Sequence, residues 1–134
     1  MTSKRSVSAV ERAPVVLLVE DDADVRNALE RILVSEGLVV LTARSALHAL
    51  QILDEQAVDV VVTDLRMPGP SGLRLLETVR DCWPEIRRVM LSAYITQEVH
   101  DSGAMDLILD KREDAGLVVD SIVYEARRRN GDRR

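Results

Sequence analysis

Two hydrophobic runs in this chain end in acid. Val15-Val16-Leu17-Leu18-Val19 leads into Glu20-Asp21-Asp22, and Val58-Asp59-Val60-Val61-Val62-Thr63 leads into Asp64. Short valine-rich runs of this kind read as buried parallel strands. As neighbours in one sheet, they bring their carboxylates together at its carboxyl edge, where open α/β sheets place ligands. Two charges about 5 Å apart at an effective dielectric near 20 repel by roughly 3 kcal/mol, and a third acid adds to that. A hard divalent cation is the natural relief. Mg²⁺ takes oxygen ligands, keeps several waters and is typically held by one or two carboxylates plus a phosphate. The acids therefore point to phosphoryl chemistry.

The remaining periodicity supplies the sheet that these runs need. After the first strand, Val25, Leu29, Ile32 and Leu33 fall on one helical face, and Gly37 stands where that helix stops. Leu38–Thr42 reads as the second strand, and Ser45 caps a helix carrying Leu47, Leu50, Ile52 and Leu53. Val58–Thr63 is the third strand. Met67-Pro68-Gly69-Pro70-Ser71-Gly72 is a compact turn, from which Ser71 caps a helix through Leu73, Leu76 and Val79 that ends at Trp83-Pro84. Arg88–Ser92 reads as the fourth strand, Thr96–Ser102 as a short helix and Leu107–Leu109 as the fifth strand. A last helix from Asp114 to Arg128 turns Leu117, Val118, Ile122 and Ala126 inward. Five strands alternating with five helices predict an α/β fold: a doubly wound, five-stranded parallel sheet with helices on both faces.

A length of 134 residues and 46% hydrophobic content suit one domain with a real core. Phe is absent, so that core is aliphatic. We expect a lead-in over residues 1–13, a domain over 14–128 and a basic tail over 129–134. Net charge is −5, but residues 127–134 hold five arginines against one aspartate, which leaves −9 on residues 1–126. An acidic body argues against broad nucleic-acid binding by the domain itself, since such binding rests on neutralised phosphates. No apolar stretch has the length of a membrane span, and no signal-peptide core follows Met1. A cytoplasmic location is expected, in keeping with the lone Cys82. His48 and His100 have neither metal-ligand spacing nor a partner nucleophile and read as surface residues, and Cys82 reads as structural.

Three segments, Leu17-Leu18-Val19-Glu20-Asp21-Asp22, Thr63-Asp64-Leu65-Arg66-Met67-Pro68-Gly69 and Met90-Leu91-Ser92-Ala93-Tyr94, each at a strand end, together strongly resemble the receiver domain of two-component response regulators. The resemblance covers roughly residues 14–128 and implies a flavodoxin-like sheet of order 2-1-3-4-5, an order the general rule for such sheets itself exemplifies with a receiver. It also implies that Asp64 is the phosphoacceptor. Asp21 becomes the direct Mg²⁺ ligand, Glu20 a ligand directly or through water, and the Arg66 backbone carbonyl a further ligand beside Asp64. Asp22 reads instead as the cap of the following helix. Ser92 stands where the family has a hydroxyl that hydrogen-bonds the phosphoryl group.

Only Lys4 and Lys111 are lysines, and Lys111 alone follows the fifth strand, where the family keeps a lysine that pairs with the phosphoryl group. Counting without a gap from Gly103-Ala104 puts Asp110 in the lysine slot and Lys111 one place late, and Arg112 replaces the usual following proline. The backbone there is expected to differ. The segment between Ser92 and Lys111 is short for the family, so the fourth helix should be stunted. Leu107 or Ile108 replaces the switch aromatic of many receivers, with Tyr94 as a substitute mover. Arg66 and Tyr94 are expected to flank water's route to the phosphoryl group.

By resemblance, the chain accepts a phosphoryl group from a sensor histidine kinase or histidine phosphotransfer protein and switches conformation towards an output domain or partner protein. A homodimer is compatible, and no membrane partner is expected. It is no enzyme beyond its own Mg²⁺-dependent phosphorylation and dephosphorylation. The alternative is a degenerate receiver serving as a phosphorylation-independent interaction module. A phosphohydrolase fits poorly, because Arg66 stands where a second acid is needed, and no Gly-rich phosphate loop supports nucleotide binding. No output domain is visible in the sequence after Arg129, and we expect either a stand-alone receiver or part of a longer regulator.

Overall fold

In the computed structural model, which describes residues 12–128, the strands are β1 (Val15–Val19), β2 (Val39–Ala43), β3 (Val60–Thr63), β4 (Arg87–Ser92) and β5 (Leu107–Asp110). The helices are α1 (Ala23–Ser35), α2 (Ala46–Glu55), α3 (Gly72–Cys82), α4 (Gln97–Ser102) and α5 (Ala115–Arg127). Residues 1–11 of the expected lead-in, and all of the expected basic tail, lie outside the described residues. The five strands form one parallel sheet of order β2-β1-β3-β4-β5. Boundaries differ from the sequence expectation by a residue or two. β2, for instance, ends on Ala43, and β3 begins at Val60 rather than Val58.

Strand alternation divides the core into two layers. Leu17, Val19, Val61 and Met90 face α2 and α3, while Val16, Leu18, Val62 and Leu91 face α1 and α5. All eight are almost wholly buried, as expected of a parallel sheet covered on both faces. Three helical faces need correction. Leu47 and Leu117 are each 62% exposed and Ile32 is 40% exposed. α2 instead buries Ala46, Ala49 and Leu53, and α5 buries Val118, Val119, Ile122 and Ala126. The reason is close approach: alanines let a helix lie near the sheet, and successive residues sit about 100° apart, so Leu47 and Leu117 rotate off the edge of the buried stripe.

Local chemistry sets the helix starts. Ser45, Ser71 and Thr96 hydroxyls accept from the amides of His48, Arg74 and Val99, and Asp22 and Asp114 carboxylates cap α1 and α5. α4 has only six residues and stops at Gly103, whose φ of +67° suits glycine, so the helix is short as expected. No helix among the described residues is long and apolar enough to cross a membrane.

Candidate functional site

β1 and β3 lie side by side with Val19 opposite Thr63. The chain beyond them stays in register, since the Asp64 amide donates to the Val19 carbonyl at 3.1 Å and the Glu20 amide to the Ala43 carbonyl at 3.0 Å. One carboxylate oxygen from each of Glu20, Asp21 and Asp64 lies within 4.8 Å of the others. Glu20 is buried, Asp64 half-buried and Asp21 exposed. Three hard oxygen donors, one of them facing water, suit a hexahydrate-derived cation such as Mg²⁺ and do not suit a soft metal.

Lys111 is brought to the same point from β5. Its Nζ donates to Asp64 Oδ2 at 2.9 Å and also to Glu20 Oε1. One ammonium faces three carboxylates, so the cluster keeps a net negative charge. Burial pushes the Glu20 carboxyl above its ordinary value, opposed by the Lys111 hydrogen bond and the Asp22 amide. Burial alone lowers the Lys111 pKa, yet its hydrogen bonds to Asp64 and Glu20 outweigh that and raise it. The two directions are compatible because Lys111 answers two carboxylates, whereas Glu20 shares one ammonium with Asp64.

The phosphoacceptor candidate is held from several sides. Asp64 Oδ1 accepts from the Leu65 amide at 2.7 Å, and the Thr63 hydroxyl donates to the Asp64 carbonyl at 2.9 Å. Ser92 ends β4 at this edge, fully buried, with its Oγ accepting from the Tyr94 amide at 3.1 Å. The Lys111 amide donates to the Ser92 carbonyl at 3.2 Å, and the peptide following Lys111 is trans. Arg66 enters by its side chain, the guanidinium carbon lying 4.2 Å from the centroid of the Tyr94 ring. Asp22 is a cap, its Oδ1 accepting from the amides of Asp24 and Val25 at 2.9 and 3.2 Å.

Three contributors were not evident from sequence. Arg26 donates to the Glu20 carbonyl at 2.8 Å and so reaches the acid cluster from α1. Gly72 packs so close to the Asp64 backbone that a Cβ there would lie 1.8 Å from the Asp64 carbonyl oxygen. The third is the paired Asp110 and Arg112 beside Lys111. An aspartate opening a polar segment is a turn signal that could have found the third, but nothing local marks Arg26 or the crowding at Gly72. His48 also departs from expectation: it is half-buried, with a buried Nδ1 that has no hydrogen-bond partner among the described residues. Its ring turns in because position 48 flanks the buried Ala46 and Ala49 of α2. His100 and Cys82 are exposed.

Comparison with known proteins agrees with this geometry. Residues 16–122 match the family described as response regulator receiver domain. The hydrogenase transcriptional regulatory protein HoxA of Cupriavidus necator is 38% identical over 104 residues, which is 74% of this chain and 21% of HoxA. The C4-dicarboxylate transport transcriptional regulatory protein DctD of Rhizobium meliloti is 32% identical over 127 residues, 91% of this chain and 26% of DctD. The chain thus spans about a fifth to a quarter of the length of these relatives. Among solved structures, the Thermotoga maritima response regulator TrrA, in complex with Mg²⁺-BeF, is 26% identical, with a TM-score of 0.77 over 84% of this chain and 98% of its own. A match over most of the length, on a fold of the same strand order with the acids and the lysine gathered at its carboxyl edge, makes this chain a member of the response regulator receiver domain family.

Proposed function

We propose that this receiver takes a phosphoryl group on Asp64 from a sensor histidine kinase or a histidine phosphotransfer protein, and that the modification switches its surface towards an output domain or partner protein. The observation that carries this is Lys111 Nζ at 2.9 Å from Asp64 Oδ2, beside the carboxylates of Glu20 and Asp21. An Asp64 oxygen attacks the donor phosphorus; the O–P bond forms as the P–N bond to the donor imidazole breaks, and the imidazole leaves with the electron pair and takes up a proton. Water later cleaves the acyl phosphate to carboxylate and inorganic phosphate. When bound, Mg²⁺ supplies charge neutralisation and orientation of the transferring group. Its ligands are Asp21, Asp64, Glu20 directly or through water, and the Arg66 carbonyl. The receiver unit is residues 14–128, and the reactions it catalyses are its own Mg²⁺-dependent phosphorylation and dephosphorylation.

Lys111 and Ser92 divide the readout. Lys111 already sits at the acceptor oxygen and follows charge onto the phosphoryl oxygens. The Ser92 hydroxyl is free to rotate away from the Tyr94 amide towards them. Moving a switch from 1:99 to 99:1 takes about 5.5 kcal/mol of differential interaction, whereas a charge-assisted hydrogen bond contributes roughly 1.5–3 kcal/mol. Both contacts are therefore needed for a strong switch. The likeness to HoxA and DctD, both named as transcriptional regulatory proteins, supports control of transcription as the output.

Fluorine NMR with beryllofluoride and Mg²⁺ tests this directly. The wild type should show bound fluorine signals that require Mg²⁺ and vanish in Asp64→Asn. Absence of bound signal in the wild type, or its persistence in that variant, would contradict phosphoacceptance at Asp64.

A further inference from the structure

Lys111 reaches the acid cluster from a tight turn that follows β5. The Asp110 carbonyl accepts from the Glu113 amide at 3.0 Å, which closes a β-turn with Lys111 and Arg112 at its centre. No described non-glycine residue has positive φ, so the turn belongs with type I, whose first position favours Asp. The Asp110 side chain does what that preference predicts: its Oδ1 accepts from the Arg112 amide at 2.8 Å. The same carboxylate also takes the Arg112 guanidinium, from Nε at 3.0 and 3.2 Å and from Nη2 at 2.6 Å. On the other side, Asp110 lies opposite Ser92 in the parallel register, and the Lys111 amide donates to the Ser92 carbonyl. The lysine backbone is thus fixed by β4 on one flank and by its own turn on the other.

We propose that Asp110 and Arg112 form a positioning clamp, in which the Asp110 carboxylate, tied to the amide and guanidinium of Arg112, sets the turn that aims the Lys111 ammonium at Asp64. The clamp deepens the receiver function proposed above and rests on it. It accounts for how a lysine one place late still arrives at the acceptor oxygen. It also accounts for the residue that follows. The Arg112 amide is a donor in the turn, and proline has no such donor, so this loop is built on a different principle from a lysine–proline turn. The neighbouring guanidinium holds the Asp110 carboxyl down to about 2, so the carboxylate stays charged throughout the neutral and mildly acid range. Bidentate geometry of this kind fixes direction as well as distance, which is what a flexible lysine stem lacks by itself.

Two readouts test the clamp: Mg²⁺-dependent beryllofluoride affinity, and the ζ-ammonium NMR signal of Lys111 in metal-free protein, which is visible when the ammonium is hydrogen-bonded and shielded from exchange. D110A should weaken beryllofluoride binding by about fivefold or more and broaden away the ammonium signal, as expected for directly coupled residues. D110N keeps the amide acceptor and gives up the charge, so it should lose less. In a K111A background, D110A should cause no further weakening. Wild-type affinity and an intact ammonium signal in D110A would overturn the proposal, and so would equal weakening with and without Lys111, the mark of a merely structural role. If D110A does not fold, R112A removes the guanidinium half of the clamp from an exposed site and is held to the same two outcomes. If the wild type binds no beryllofluoride, receiver function itself fails. The ammonium signal then judges the clamp alone, its loss in D110A supporting it and its retention overturning it.

Discussion

Arg66 and Tyr94 stand two residues beyond Asp64 and Ser92 and close over one another as a cation–π pair with 4.2 Å between guanidinium carbon and ring centroid. Such a contact at an exposed site contributes only about 0.5–1 kcal/mol, so its meaning is geometric: two side chains from two loops share one position. A pair that shields the acyl phosphate from water should act as a unit. R66A and Y94A should each shorten the lifetime of the phosphorylated protein severalfold, and the double variant should add little beyond either, measured by loss of phosphoprotein with time. Unchanged decay in the double variant would remove them from water's route. Asp64, Glu20 and Asp21 were legible in the sequence because acids are costly at the ends of buried strands, and Lys111 because, of the two lysines, it alone follows the fifth strand, where the resemblance to receiver domains implies one. Arg26 was not, since its contact is with the Glu20 backbone and has no counterpart in residue type.

At the scale of elements, the tightest junction is the one between β3 and α3. Ser71 caps α3, and Gly72 follows at its first turn with its amide on the Leu65 carbonyl at 2.8 Å. A methyl group there meets the Asp64 carbonyl oxygen at 1.8 Å and its carbon at 2.8 Å, both backbone atoms that cannot swing aside. Gly72→Ala should therefore cost about 2–3 kcal/mol in chemical denaturation and lower the phosphorylation rate together with stability, because the strain falls on the backbone of Asp64, the proposed phosphoacceptor. Wild-type stability in that variant would mean that the junction relaxes freely. Caps and turn residues were legible from sequence, since Ser45, Ser71 and Asp22 act through their immediate neighbours. Helical faces were less so: Leu47 and Leu117 are apolar at nearly the right spacing, and only packing against the sheet decides which side of the stripe is covered.

At the scale of the whole molecule, an ion pair among the described residues ties the sheet to the last helix. Arg87 at the start of β4 donates to Glu125 Oε1 of α5 from Nε at 3.0 Å and from Nη2 at 2.7 Å, with Asp106 3.7 Å away on the other side. Glu125 is 5% exposed, a burial that its place in a basic-ended helix gave no cause to expect. Glu125→Ala should destabilise the fold by about 3 kcal/mol by leaving the guanidinium without its nearest partner, and a denaturation midpoint equal to wild type would show that Asp106 suffices. The two-layer core was legible because alternation of strands and helices leaves few ways to cover both faces of a parallel sheet, whereas the sheet order came from the resemblance to receiver domains alone. The charges that lock those layers were not, because pairing between residues 38 apart depends on the finished fold. That finished fold places Asp64, Glu20, Asp21 and Lys111 at one edge, and the account stands on what Asp64 does there. Treating the protein with a small-molecule phosphodonor and Mg²⁺ and reading intact mass and fragments by mass spectrometry tests it most directly. One phosphoryl group on Asp64, lost in Asp64→Asn and without Mg²⁺, is the predicted result; labelling of Asp64→Asn at the wild-type level, or no labelling of the wild type, would contradict it.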